Sequence, residues 1–77
     1  MQLPAGWDAV EADEDERWCA SFRRRGERFE VDCLRRGEQW VASVTRVRPG
    51  QRHRLALLQR PTLDEVVTAA ELLVDHA

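Results

Sequence analysis

Apolar and polar residues alternate through the middle of this chain, in segments separated by turn-forming residues. The apolar residues of each segment fall at every second position, which is the period of a half-buried β-strand. Four such segments lie between Arg17 and Arg60. The positions predicted to face a common core are Trp18, Ala20, Phe22, Phe29, Val31, Cys33, Trp40, Ala42, Val44, Leu55 and Leu57.

The segments are joined by two copies of the tetrapeptide Arg-Arg-Gly-Glu, at 24–27 and 35–38, and by Arg-Pro-Gly-Gln at 48–51. Pro-Gly suits the central positions of a type II turn. If each tetrapeptide is a hairpin loop, Phe22 lies opposite Phe29, Phe29 opposite Val44, and Val44 opposite Leu55. The four apolar faces then coincide, which is the arrangement that fixes the register of a sheet.

The first sixteen residues are acidic and only weakly patterned. Residues 1–6 contain Pro4 and Gly6 and are predicted to be irregular. Residues 7–12 alternate weakly, and pairing Trp7 with Phe22 makes them compatible with a fifth strand. Residues 13–16 are four adjacent acids, which repel one another and predict a solvated loop.

Residues after Pro61 change to a helical period. Thr62 followed by Glu65 has the form of a capping box. An amphipathic helix is predicted over residues 63–76, with its apolar side on the sheet. The chain is therefore predicted to be a single α+β domain over residues 1–77, an antiparallel meander of four or five strands (17–60 being the basic part) with one C-terminal helix packed on one face.

Charge is strongly divided along the chain. Residues 17–60 hold all twelve arginines of a chain without lysine, against four acids, a net of +8 with histidine neutral, within a chain of net charge −2. Alternate loops of a meander lie at the same end of the sheet, so two arginine-rich loops should converge. Guanidinium groups bind phosphate oxygens, and we expect DNA or RNA to contact Arg23, Arg24, Arg25, Arg28, Arg48, Arg52 and Arg54.

Residues 39–70 also resemble a known family. The strand 39–44, the strand 52–58 and the helix start 61–70 are similar to the three-stranded DNA-binding domains of plant ethylene-response factors and phage integrase arms; antitoxins of the HicB type share a comparable strand and helix. The resemblance implies a sheet that reads DNA. The chain departs from that family at Glu30 and Asp32, which lie on the face that would meet DNA, and at the inward Trp40.

A protein-binding module is the competing interpretation. The face of the sheet away from the helix is predicted to gather an apolar patch, and such patches often mark a homodimer or partner contact. A dimer, antitoxin, immunity or inhibitor function would use this patch or the acidic segment. The predicted contact residues are Val10, Cys19, Val41, Ala56 and Leu58.

Catalysis is not predicted. Cys19 and Cys33 fall on opposite faces of neighbouring strands, which argues against a disulfide or a shared metal site. His53 and His76 have no evident nucleophile beside them, and no phosphate-binding loop is present. We expect no cofactor, no metal and no small-molecule substrate. The chain has neither a signal-peptide pattern nor an apolar run of membrane length, so we expect a cytoplasmic protein.

Overall fold

A computed structural model describes residues 7–13 and 16–76, with the side chains of residues 9–13 outside that description. Five strands form one antiparallel sheet in the order of the chain, followed by a helix. The predicted α+β meander with a C-terminal helix is therefore confirmed, with five strands. The elements are β1 (Trp7–Asp13), β2 (Arg17–Arg24), β3 (Glu27–Arg36), β4 (Gln39–Arg48), β5 (Gln51–Arg60) and α1 (Leu63–Asp75).

The helix begins and ends close to the predicted positions. Thr62 is its N-cap, and the Thr62 side chain accepts a hydrogen bond of 3.2 Å from the backbone N–H of Glu65. Asp64 and Glu65 occupy the first turn, where the helix dipole favours negative charge. No helix among the described residues has the length and apolar character needed to cross a membrane.

The core lies between α1 and one face of the sheet, which we call the inner face; the opposite face is the outer face. Val66, Val67, Ala70 and Val74 of α1 are buried against it. All three tryptophans belong to this core, as predicted, each at most 7% exposed. The rings of Trp7 and Phe22 stack at a centroid distance of 4.0 Å. The sheet contributes Trp7, Trp18, Ala20, Phe22, Phe29, Val31, Cys33, Trp40, Ala42 and Val44.

The register of the β2–β3 hairpin is as predicted, and that of the β1–β2 hairpin is as predicted up to Ala9, after which it shifts by one residue. Trp7 lies opposite Phe22, and Phe22 opposite Phe29. Asp13, expected in the acidic loop, is instead the last residue of β1 and pairs with Arg17. Residues 1–6, Glu14 and Asp15 lie outside the described part of the chain.

The predicted register of the β3–β4 hairpin is wrong by two residues. Phe29 lies opposite Arg46, and Val31 opposite Val44. The turn consists of Gly37 and Glu38 alone, so β3 continues to Arg36, two residues further than predicted, and the pairing moves by two. Because side chains alternate with period two, this displacement leaves every predicted inward residue of β4 facing inward.

The β4–β5 hairpin turns at Pro49 and Gly50, and Gly50 has the positive φ, +72°, that a type II turn requires. The register then shifts between Thr45 and Val44. Ala56 therefore lies opposite Val44, and Leu58 opposite Ala42. The prediction that Ala56 and Leu58 lie on the outer face is wrong. The bulge reverses the facing of the second half of β5, a known effect of one extra residue in a strand.

Candidate nucleic-acid interface

The seven arginines predicted to bind nucleic acid are divided between two surfaces. Four belong to the outer face and three lie at the β2–β3 and β4–β5 turns. The outer-face arginines, which we call the basic row, are Arg23, Arg28, Arg52 and Arg54. The turn arginines are Arg24, Arg25 and Arg48.

Cross-strand pairing builds the basic row. Arg23 lies directly opposite Arg28, and Val47 lies opposite both Arg28 and Arg52. Neighbouring strands are about 4.8 Å apart, so these three guanidinium groups span four adjacent strands at one end of the sheet. Arg54 stands one step further along β5, opposite Thr45.

Two members of the basic row are like charges held face to face. Arg23 and Arg28 are both exposed, and neither forms an ion pair among the described residues. Exposed Asp8 borders the same small cavity but lies beyond ion-pair distance. Like charges directly opposite one another destabilise a sheet. An anion placed between the two guanidinium groups would relieve this repulsion.

Arg52 has an internal partner. Its Nη2 lies 2.6 Å from Oε2 of Glu30, and this hydrogen bond raises the pKa of Arg52. Glu30 and Asp8 are the outer-face acids beside the basic row among the described residues, and the four arginines outnumber them. Exposed ion pairs contribute little stability because water screens them, so a phosphate can compete for Arg52.

The turn arginines are bound within the fold. Arg25 donates to the carbonyl oxygens of Val74 and Asp75 at 2.8 and 3.1 Å. Arg24 lies 3.5 Å from Glu71 and 3.4 Å from Asp75, and its guanidinium is 5.2 Å from the centre of the Phe22 ring. These contacts hold the β2–β3 turn against the last turn of the helix.

Arg48 joins the two arginine-rich turns. Its Nε and Nη2 both donate to Oε1 of Glu27, at 3.0 and 2.5 Å. This pair lowers the pKa of Glu27. The contact shows that the β2–β3 and β4–β5 turns lie at the same end of the molecule. Since Arg24, Arg25 and Arg48 already have acidic or carbonyl partners, the basic row is the stronger part of the predicted site.

The centre of the outer face is polar and contains a cavity of about 500 Å³. Cys19 Sγ donates to Oδ1 of Asp32 at 2.9 Å, and Arg17 Nε lies 3.5 Å from the same oxygen. Burial and the hydrogen bond to Asp32 raise the pKa of Cys19. A raised pKa keeps the thiol protonated and unreactive at neutral pH.

The predicted partner interface is only partly brought together. Cys19 and Val41 lie on the outer face and are half-buried. Leu57, which was predicted to face the core, lies there instead of Ala56 and Leu58 and is 59% exposed. Val10 lies in β1 at a second register shift, and its side chain is outside the described part. The outer face is thus less apolar than expected.

No family profile, curated protein or solved structure matches this chain. The resemblance to ethylene-response-factor domains therefore stays a prediction. Within the part of the chain that the structure describes, no three His, Cys, Asp or Glu side chains cluster as metal ligands would. Sequence reasoning missed an apolar groove between β5 and α1, because the predicted facing of β5 placed Leu58 on the other side of the sheet.

Proposed function

We propose that this chain is a small non-catalytic module that binds nucleic acid through the basic row. The observation that carries the proposal is the direct cross-strand pairing of Arg23 with Arg28, two exposed arginines without an ion-pair partner among the described residues. A fold gains no stability from this pair, whereas a phosphate backbone crossing the sheet gains two adjacent guanidinium contacts.

The position of the basic row supports the same proposal. α1 packs on the inner face, which leaves the outer face open to a rod-shaped ligand. Three of the four arginines lie in one line across β2, β3 and β5, and a nucleic-acid backbone is a line of negative charges. Glu30 and Asp32 lie beyond this line towards the middle of the sheet. They favour contact at the basic end over contact across the whole face.

The outer face as a partner-binding surface is the weaker alternative. Its apolar members are separated by polar and charged residues, and Ala56 and Leu58 do not belong to it. Arg17 and Asp32 form an ion pair at its centre. A stable protein contact of ordinary size has an apolar central region, which is not found on this face among the side chains that the structure describes.

Salt-dependent binding to duplex DNA and to single-stranded RNA tests the proposal. Contact of all four arginines with phosphates predicts a slope of log affinity against log salt of about −3.6 on duplex DNA. The double variant Arg23→Ala/Arg28→Ala should reduce the magnitude of this slope by about 1.8, because two phosphate contacts are lost.

The second Arg-Arg-Gly-Glu copy provides the matched control. Arg35→Ala/Arg36→Ala removes the same charge at exposed positions at the far end of the sheet, and it should leave the slope unchanged. Equal loss in the two double variants would show attraction by overall charge alone and would contradict the proposed interface. Absence of salt-dependent binding by the wild-type protein would reject the function.

A further inference from the structure

β5 is the last strand of the sheet and has a free edge. It is ten residues long and pairs only with β4 among the described residues. The backbone N–H and C=O groups along a free edge can accept another strand. The other edge strand, β1, is shorter, with seven residues.

An apolar groove runs along the same edge, between β5 and α1, with a volume of about 600 Å³. Leu72 of α1 borders it and is 54% exposed. Leu55 and Leu58 pack on the core on one side and border the groove on the other. We call this the edge groove; its remaining lining residues are Arg60, Ala69, Leu73 and His76.

The register shift in β5 determines the register in which two copies of this edge can pair. Before the shift Arg52 and Arg54 belong to the outer face, and after it Leu57 and Gln59 do. These four residues lie symmetrically about the bond between Leu55 and Ala56. A two-fold axis at that bond therefore places outer-face residues of one copy opposite outer-face residues of the other.

Antiparallel pairing of two β5 strands also avoids contacts between like charges. When outer-face residues of the two copies are paired with each other, Arg52 lies opposite Gln59 of the second copy, and Arg54 lies opposite Leu57 of the second copy. Every arginine that faces outward from β5 then meets an uncharged residue. Like charges directly opposite one another would destabilise the pairing.

The charges at the two ends of the edge favour the same arrangement. One end carries Arg52, His53 and Arg54, and the other carries Arg60 followed by Asp64 and Glu65 in the first turn of α1, a formal net charge of −1. Antiparallel pairing places the basic end of one copy beside the end of the other copy that has the small net negative charge. A second copy of this chain therefore fits the edge in three respects: its charges are complementary, its outer-face residues pair with outer-face residues, and its apolar groove meets an apolar groove.

We infer that the chain forms a two-fold homodimer in which the β5 strands pair antiparallel and the two edge grooves close against each other. The two sheets become one continuous sheet with both helices on the same side. This inference does not depend on nucleic-acid binding, and its test uses the protein alone.

Sedimentation equilibrium of the full chain provides the first test. The wild-type protein should have twice the 8.9 kDa mass of one chain. Leu72→Asp should return it to a monomer, because two carboxylates would be enclosed in the edge groove. The control Leu34→Asp makes the same change at a 38% exposed leucine of the outer face and should remain dimeric.

Two results would overturn the inference. One is a monomeric wild-type protein at about 100 μM, where contacts of micromolar Kd are saturated. The other is dissociation by Leu34→Asp but not by Leu72→Asp, which would place the contact on the outer face. Circular dichroism would report whether each variant is folded.

A charge-reversal pair tests the register itself and avoids the groove. Leu57 is exposed, so substitutions there should leave the chain folded. Leu57→Arg places like charges opposite Arg54 of the second copy, twice per dimer, and should raise the dimer Kd several-fold. Leu57→Glu places opposite charges there and should lower it. Equal Kd values for the two variants would contradict the pairing.

Discussion

Nη2 of Arg25 donates a 2.8 Å hydrogen bond to the carbonyl oxygen of Val74, near the end of α1. Arg25 belongs to the β2–β3 turn and has a left-handed backbone conformation, with φ of +53°. The last carbonyl groups of a helix lack internal partners and carry partial negative charge. A turn residue of the sheet thus completes the end of the helix, which is consistent with the absence of basic residues from the last turn of α1.

Removal of the Arg25 side chain should weaken this end of the fold. Arg25→Ala loses the two hydrogen bonds to the helix carbonyl oxygens, so it should lower the free energy of unfolding by about 1–2 kcal/mol. Alanine, like arginine, is disfavoured at positive φ, so the substitution brings no compensating gain. Arg25→Asn should cost less, because Asn tolerates this conformation better. Urea denaturation measures both values.

Arg36 is the matched control for this prediction, since it occupies the same place in the second Arg-Arg-Gly-Glu copy. It lies in β3 rather than in a turn and is exposed. Arg36→Ala should change the free energy of unfolding by less than about 0.5 kcal/mol. A loss as large as that of Arg25→Ala would mean that the helix contact contributes nothing specific.

The N-cap of α1 provides a second stability prediction. Thr62→Ala removes the acceptor of the Glu65 N–H and should lower the free energy of unfolding by about 1 kcal/mol. Thr68→Ala is the control, because Thr68 is exposed inside the helix, where Ala is the better helix former. It should leave stability unchanged or raise it slightly. The midpoint of thermal unfolding should therefore fall for Thr62→Ala and stay level or rise slightly for Thr68→Ala.

The meander and its core were predictable because alternation is insensitive to small errors in turn position. Trp18, Phe29 and Val44 face the core as predicted, although the β3–β4 register was wrong. Moving a two-residue turn along by one position moves the pairing by two. Each side chain then keeps its face and only its cross-strand neighbour changes.

The turn positions themselves were not predictable from local sequence. The first Arg-Arg-Gly-Glu copy turns at Arg25 and Gly26, which both have positive φ, as in a type I′ turn. The second copy turns at Gly37 and Glu38, and only Gly37 has positive φ. Identical tetrapeptides make different turns, so contacts elsewhere must decide. The helix end that binds Arg25 is present at one turn only.

The facing of β5 was wrong for a different reason. Residues 55–58 are Leu-Ala-Leu-Leu, in which every position is apolar. In such a run the apolar pattern does not indicate which residues face the core. A bulge there costs little stability, because either facing places an apolar residue in the core. The division of the arginines between two surfaces could not be predicted from the sequence either. Arg24 and Arg25 adjoin Arg23 in sequence. Only the packing of α1 shows that they bind the helix, while Arg23 belongs to the outer face.

Alkaline pH should destabilise the protein through its thiols. Cys33 is fully buried, and burial raises its pKa from 9.0 to about 12. In the unfolded chain the thiol loses its proton near pH 9, whereas in the folded protein it stays protonated. The stability contributed by the protonated thiol is therefore complete below pH 9 and is lost as the pH rises towards 12. The raised pKa of Cys19 acts in the same direction.

The composition of the chain makes the loss of stability at alkaline pH easy to attribute to the thiols. The chain has no tyrosine, and all its basic residues apart from two histidines are arginines, so the two thiols are the only side chains expected to titrate between pH 9 and 11. The free energy of unfolding, measured in urea with a reducing agent, should fall by about 1 kcal/mol per pH unit for Cys33. Cys33→Ala is less stable at pH 7 because of the cavity that it leaves, but it lacks this pH dependence. The stability difference between wild type and Cys33→Ala should therefore shrink from pH 9 to pH 11; a constant difference would show that the buried thiol ionises as readily in the folded protein as in the unfolded chain.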